Sequence, residues 1–173
     1  YTSVYGGNYV VYLNVTNAIA GPDPVWWNGT DAGSSVFTLG NNVTNNASAN
    51  NYIAYCFHSV EGFSKFGTYE GINNANGPFI YLGFRPKFFL LKNIDSALQW
   101  IIFDGERDPY NVVGKRIFPN LSNAESAVPS NSAMDFLSNG VKIRVAGGYD
   151  INDAGTYIYM AFAENPFKYS NAR

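Results

Sequence analysis

Ten short runs of β-branched and aromatic residues, each closed by glycine, asparagine, aspartate, serine or proline, direct this chain toward a β fold. They fall at 9–14 (YVVYLN), 36–40 (VFTLG), 52–59 (YIAYCFHS), 63–70 (FSKFGTYE), 79–83 (FIYLG), 87–93 (KFFLLKN), 99–104 (QWIIFD), 115–118 (KRIF), 140–145 (GVKIRV) and 156–163 (TYIYMAFA). Helical periodicity is almost absent. Short strands with turn-rich spacers predict an all-β fold, an antiparallel β-sandwich of jelly-roll-like character. FFLL and WIIF are apolar without alternation, as expected of strands buried on both faces. The stretches NNVTNNASANN (41–51) and INNANGP (72–78) favour Asx turns and left-handed positions.

Composition makes a packed core attainable. Of 173 residues, 46% are hydrophobic and only 14% charged, with a net charge of −2, which is not the profile of a disordered chain. The scattered lysines and arginines form no footprint for nucleic acid. No run of 18 apolar residues is present, so no membrane-spanning helix is expected, and no secretory signal is visible. Cys56 is the single cysteine, which rules out an intrachain disulfide and a cysteine metal cluster. Within its alternating run it is expected to be a small buried hydrophobe. No cofactor is expected.

The chain echoes itself. YIAYCF (52–57) returns as YIYMAF (157–162), an offset of 105; YLNVTNA (12–18) returns as FPNLSNA (118–124), an offset of 106. VFTLG (36–40) answers to GVKIR (140–144), an offset of 104. Three landmarks in one order at nearly constant spacing predict a tandem repeat of about 105 residues. The first copy is truncated, because runs 63–70, 79–83, 87–93 and 99–104 have no earlier counterpart. Residues 1–59 are therefore expected to be the C-terminal half of one sandwich repeat, and 60–173 a complete repeat ending the chain. Half a sandwich leaves sheet edges unpaired, which suggests the C-terminal part of a longer polypeptide. One sandwich of unusual topology holding both segments is the alternative.

The stretches YIAYCFHSVEGFSKFGTYEG, GPFIYLGFRPKFFLLKN, RDPYN, DFLSNGVKIR and TYIYMAFAENPFKYSNAR resemble the C-terminal repeats of a family of uncharacterised phage virion proteins. These are tail-fibre-like chains of marine and aquatic phages, grouped with concanavalin A-like, lectin-type sandwiches. The resemblance implies a structural module on the virion surface, in a tail appendage or on the capsid exterior, with an adhesive role toward host glycans or proteins. It implies partnership with other virion proteins and with copies of itself, trimeric in keeping with phage fibres. It implies no established enzymatic activity, and the charge and hydropathy already described lead to the expectation of no nucleic-acid partner and no membrane insertion. A purely architectural capsid-decoration or fibre-shaft protein is the alternative.

Few residues invite a chemical role. DGERDP (104–109) sets Asp104, Glu106 and Asp108 at alternate positions, and paired carboxylates are what glycoside hydrolysis needs. A glycan depolymerase would rest on that stretch alone, and Gly105, Pro109 and Arg107 point instead to a solvated, charge-paired turn. DINDAG (150–155) has oxygen donors at calcium-loop spacing but lacks the closing glutamate, so Asx turns explain it more simply. His58 is the only histidine and is assigned a structural role. The sequons at Asn14, Asn28, Asn42, Asn46 and Asn120 are attributed to an Asn- and Thr-rich composition. Aromatic loop residues are the candidate binding set: Trp26 and Trp27, then Tyr110 and Tyr149, whose rings could stack on sugars or anchor an interface.

Overall fold

A computed structural model describes residues 1–128 and 133–166. Its strands are β1 (Ser64–Gly71), β2 (Phe79–Tyr81), β3 (Pro86–Asn93), β4 (Trp100–Asp104), β5 (Lys115–Arg116), β6 (Ser126–Ala127), β7 (Met134–Leu137), β8 (Gly140–Ile143) and β9 (Gly155–Ala163). One sheet runs β1-β9-β3-β4 and a second β2-β8-β7, every pairing antiparallel; β5 and β6 form a separate two-stranded ribbon. Among the described residues, helix is confined to one turn at Gly6–Asn8 and one at Val43–Asn46, the latter capped by the Asn42 side chain, which accepts from Thr44 N at 2.8 Å.

The core fills the space between the two sheets. Alternation on β9 turns Tyr157, Tyr159, Ala161 and Ala163 inward, against Phe89 and Leu91 of β3 and Ile101 and Phe103 of β4. Phe136, Val141 and Ile143 meet them from the smaller sheet. β1 makes room for the tyrosines with glycine. Gly67 lies across from Tyr159, and a Cβ there would come within 2.9 Å of the Tyr159 hydroxyl. A Cβ on Gly71 would run into the Asp153 carbonyl oxygen. Between these glycines Tyr69 stacks on Tyr157, with ring centroids 4.7 Å apart and planes 10° from parallel.

The unalternating runs are buried on both faces, as their composition predicts. Leu90, Lys92 and Trp100 point away from the core between the sheets and are nonetheless buried. The N-terminal segment reaches this side, where Trp100 Nε1 donates to Tyr12 O at 2.8 Å and Ile19 N to Ile94 O at 2.8 Å.

Seven of the ten expected runs contain strand, and three require correction. Run 9–14 contributes only an isolated bridge, Val10 to Ala20, and runs 36–40 and 52–59 form no strand. Tyr52, Ile53, Tyr55 and Phe57 are 46, 80, 80 and 58% exposed, and Cys56, expected inside, is exposed as well. The reason lies in the partners. YIYMAF becomes strand because β1 and β3 flank it; its near-copy YIAYCF has no strand on either side. Two elements were not anticipated, β6 and β7, of two and four residues.

One part of the echo is three-dimensional. The Val10–Ala20 bridge, moved by the 106-residue offset, falls on Arg116–Ser126, which is a pair of the β5–β6 ribbon. Leu13–Asn14 and Pro119–Asn120 occupy matching turns within the two hairpins. A hairpin carries its own partner and so forms in both places.

Candidate interaction surface

The carboxylates of DGERDP are each occupied. β4 ends at Asp104, whose Oδ1 accepts from the backbone N–H groups of Glu106 and Arg107, while Oδ2 takes the Arg107 Nε at 2.5 Å. Burial alone would raise the Asp104 pKa, but the Arg107 bonds and charge and the Glu106 N–H bring it below the usual carboxylate value. Glu106 pairs with Lys87 at 2.6 Å. Asp108 Oδ2 accepts from Gly114 N and Lys115 N at 2.8 and 3.1 Å. Arg107 also reaches Glu125 at 2.8 Å. The stretch is a turn stitched to its neighbours, with no carboxylate held uncommitted over a cleft.

DINDAG closes on itself in the same way. Asp153 accepts from Gly148 N and Asp150 N at 2.5 and 3.0 Å, which leaves its oxygens turned to backbone. Fully buried Asn152 ties three segments together: it accepts from Ile72 N at 2.9 Å and donates to Asn74 O and Val145 O at 2.7 and 2.6 Å. No spacing argument singled out Asn152, because an asparagine in a polar run reads as one more turn residue. Burial and neighbouring Asp153 raise the Asp150 pKa, against the pull of Arg116 and Lys92. Among the described residues, no group of three or more His, Cys, Asp or Glu side chains is placed to hold a metal. His58 Nδ1 lies 3.0 Å from Ser59 O, at an exposed position.

The four aromatic candidates meet different fates. Trp26 and Trp27 are half-buried in a turn and already engaged. Trp26 meets Tyr12 edge-on at 5.7 Å between centroids, and Trp27 meets Tyr1 in the same way at 5.7 Å. Trp27 Nε1 donates to Tyr9 O at 2.9 Å, and its carbonyl accepts from Thr38 Oγ1 at 2.7 Å. Tyr149 packs on the core, with the Arg116 guanidinium 6.0 Å from its ring and Arg116 Nη1 on its carbonyl at 2.8 Å. Only Tyr110 of the four is offered freely, at 81% exposure. No ring contact joins the tryptophans to Tyr110 or Tyr149 among the described residues. The tryptophans order the N-terminal segment, and Tyr110 is a separate outlying ring.

Exposed apolar side chains also recur along residues 36–57, in the two runs that form no strand and in the loop between them. Val36, Val43, Ile53, Tyr55 and Phe57 are each more than half exposed, and Phe37, Leu39 and Tyr52 nearly so. Exposed apolar side chains are thus concentrated along this segment. Residues 1–166 match the family described as Domain of unknown function (DUF7483). The chain belongs to this family. No curated protein and no solved structure matches it. Membership in DUF7483 spans the N-terminal segment and both sheets, so the exposed run 36–57 lies inside the family's own boundaries.

Proposed function

We propose that this DUF7483 chain is a structural module of a bacteriophage virion, placed at the particle surface in a tail fibre or related appendage. There it assembles with other virion proteins and copies of itself and presents loops to host-surface glycans or proteins. The observation that carries the assembly part is the exposed apolar run of residues 36–57, which suits a protein that is covered in its working state. The virion itself is supported by the resemblance of the quoted stretches to phage virion repeats. No catalytic step belongs to this reading, since the carboxylates of 104–108 are bound to Arg107, Lys87 and backbone N–H groups. Adhesion by such a module comes from many weak contacts raised in effective concentration by copy number, without new chemistry.

A second reading, a fibre shaft or capsid decoration without a receptor, is favoured by the engagement of Trp26 and Trp27 in internal packing. Immunogold labelling of intact virions with an antibody against residues 60–173 separates the two. Gold at the distal tips of appendages supports attachment, and gold along a shaft or over the head supports the architectural role. Absence from particles overturns both.

A further inference from the structure

The two copies of the echo behave differently, and the difference follows the range of their contacts. The hairpin formed around Val10–Ala20 and Arg116–Ser126 is local, and it is present twice. The strand β9 is non-local on both sides, while β8 has one adjacent partner, β7, and one distant partner, β2. β8 lies between β2 and β7, and β9 lies between β1 and β3, whose residues come far earlier in the chain. Their counterparts, 36–40 and 52–57, have the residues but not the strand. What residues 52–57 are without is therefore specific: a pair of strands of the β1 and β3 kind, held apart by the width of one strand.

We infer that residues 52–57 are the central strand of a second sheet, and that their partner is an open β1/β3-type strand pair of another module of this family. The register of β9 dictates the fit. Tyr157 pairs with Tyr69 and Asn93, and Phe162 pairs with Ser64 and Phe88. By the 105-residue offset, Tyr52 and Phe57 take those two positions, and Ile53 takes that of Ile158. Tyr52, Ala54 and Cys56 then face the core, at the positions of buried Tyr157, Tyr159 and Ala161. Ile53, Tyr55 and Phe57 turn to the opposite face. Main-chain hydrogen bonds on both sides supply affinity, and the alternating side chains supply register. This inference stands on the echo and the sheet topology and does not depend on the virion reading.

Cys56 supplies the measurement, because it is the only thiol in the chain and is exposed without the partner strands. A copy of residues 60–106, which spans β1 to β4, is joined ahead of Tyr1 of the complete chain; the 106-residue offset places Tyr1 opposite Arg107. Alkylation of Cys56 is expected to slow by at least about 100-fold relative to the unextended chain, and the added segment is expected to resist proteolysis. Ala54→Asp in the extended chain should restore fast alkylation, while in the unextended chain it should leave the melting temperature unchanged. Equal alkylation rates with and without the added segment, or digestion of that segment alone, overturns the proposal. Protection that develops in the unextended chain as its concentration rises also overturns it, because the occupant is then a closed second copy.

Discussion

Raising the pH from 8 toward 10 is expected to stabilise the fold, because Lys92 is buried and, among the described residues, no carboxylate forms an ion pair with it. Its side chain lies within β3, fully shielded from solvent, and its ammonium donates to Asn93 O at 2.5 Å and Ser96 O at 3.2 Å. Burial lowers its pKa from 10.5 to about 8, opposed only by the more distant Asp150 charge. Between those two values the native state has released a proton that the unfolded chain still holds. Stability then rises with pH, and a fall from 10.5 to about 8 corresponds to about 3 kcal/mol when complete. The tyrosines cut the rise short. Burial pushes Tyr157 from 10.0 up to about 12 and raises Tyr69 well above its ordinary value. Above pH 10 the unfolded chain loses tyrosyl protons first, and stability falls again. Urea unfolding followed by tryptophan fluorescence at half-unit steps from pH 7 to 11 should show a maximum near pH 10. Lys92→Met should flatten the rising limb and leave the falling limb in place. A midpoint that is constant or declines from pH 8 to 9.5 in the native sequence would refute the account of Lys92.

Four other substitutions probe separate features. Asn152→Ala removes the hydrogen bonds to Ile72, Asn74 and Val145 at a fully buried position and should lower stability by about 2–4 kcal/mol, read as a shift in urea midpoint. Gly71→Ala drives a methyl group into the Asp153 carbonyl and the Tyr157 ring, and should lower stability by about 3 kcal/mol or more; Gly62→Ala, where nothing lies nearby but φ is +71°, should lower it by only about 1 kcal/mol. Glu106→Gln breaks an exposed pair with Lys87 and should change stability by no more than about 1 kcal/mol. It should also leave any polysaccharide cleavage by the protein unchanged, and a loss of cleavage would reopen the depolymerase reading.

The sequence was most legible where strand composition and strand partners occur together. KFFLLKN and QWIIFD have too few polar residues to lie on a surface, and β3 and β4 are indeed buried on both faces through Leu90, Leu91, Trp100 and Ile101. YIAYCF has the same qualifications and stays unpaired, because side-chain pattern describes a strand's two faces and says nothing of its two edges. β7 escaped notice for the opposite reason: four residues, MDFL, offer too little alternation to register, yet β8 holds them in place. Among the candidate binding residues, pattern found aromatic rings in turns but could not distinguish Tyr110, which is free, from Trp27, whose indole N–H is bonded to Tyr9. That distinction depends on contacts between segments 18 residues apart. Asn152 was illegible altogether, since its role comes from Asn74 and Ile72, some 80 residues earlier.

The place of β9 in its sheet also sets a timetable for synthesis. β1 and β3 leave the ribosome long before β9 does, yet they are joined within the sheet by their hydrogen bonds to it. Until residues 155–163 emerge, two aromatic strands wait with facing edges unsatisfied, and a foreign strand of the right pattern can settle between them. A protein made this way gains from being translated quickly through its last third, and from having chaperones at hand while the middle of its largest sheet is still missing.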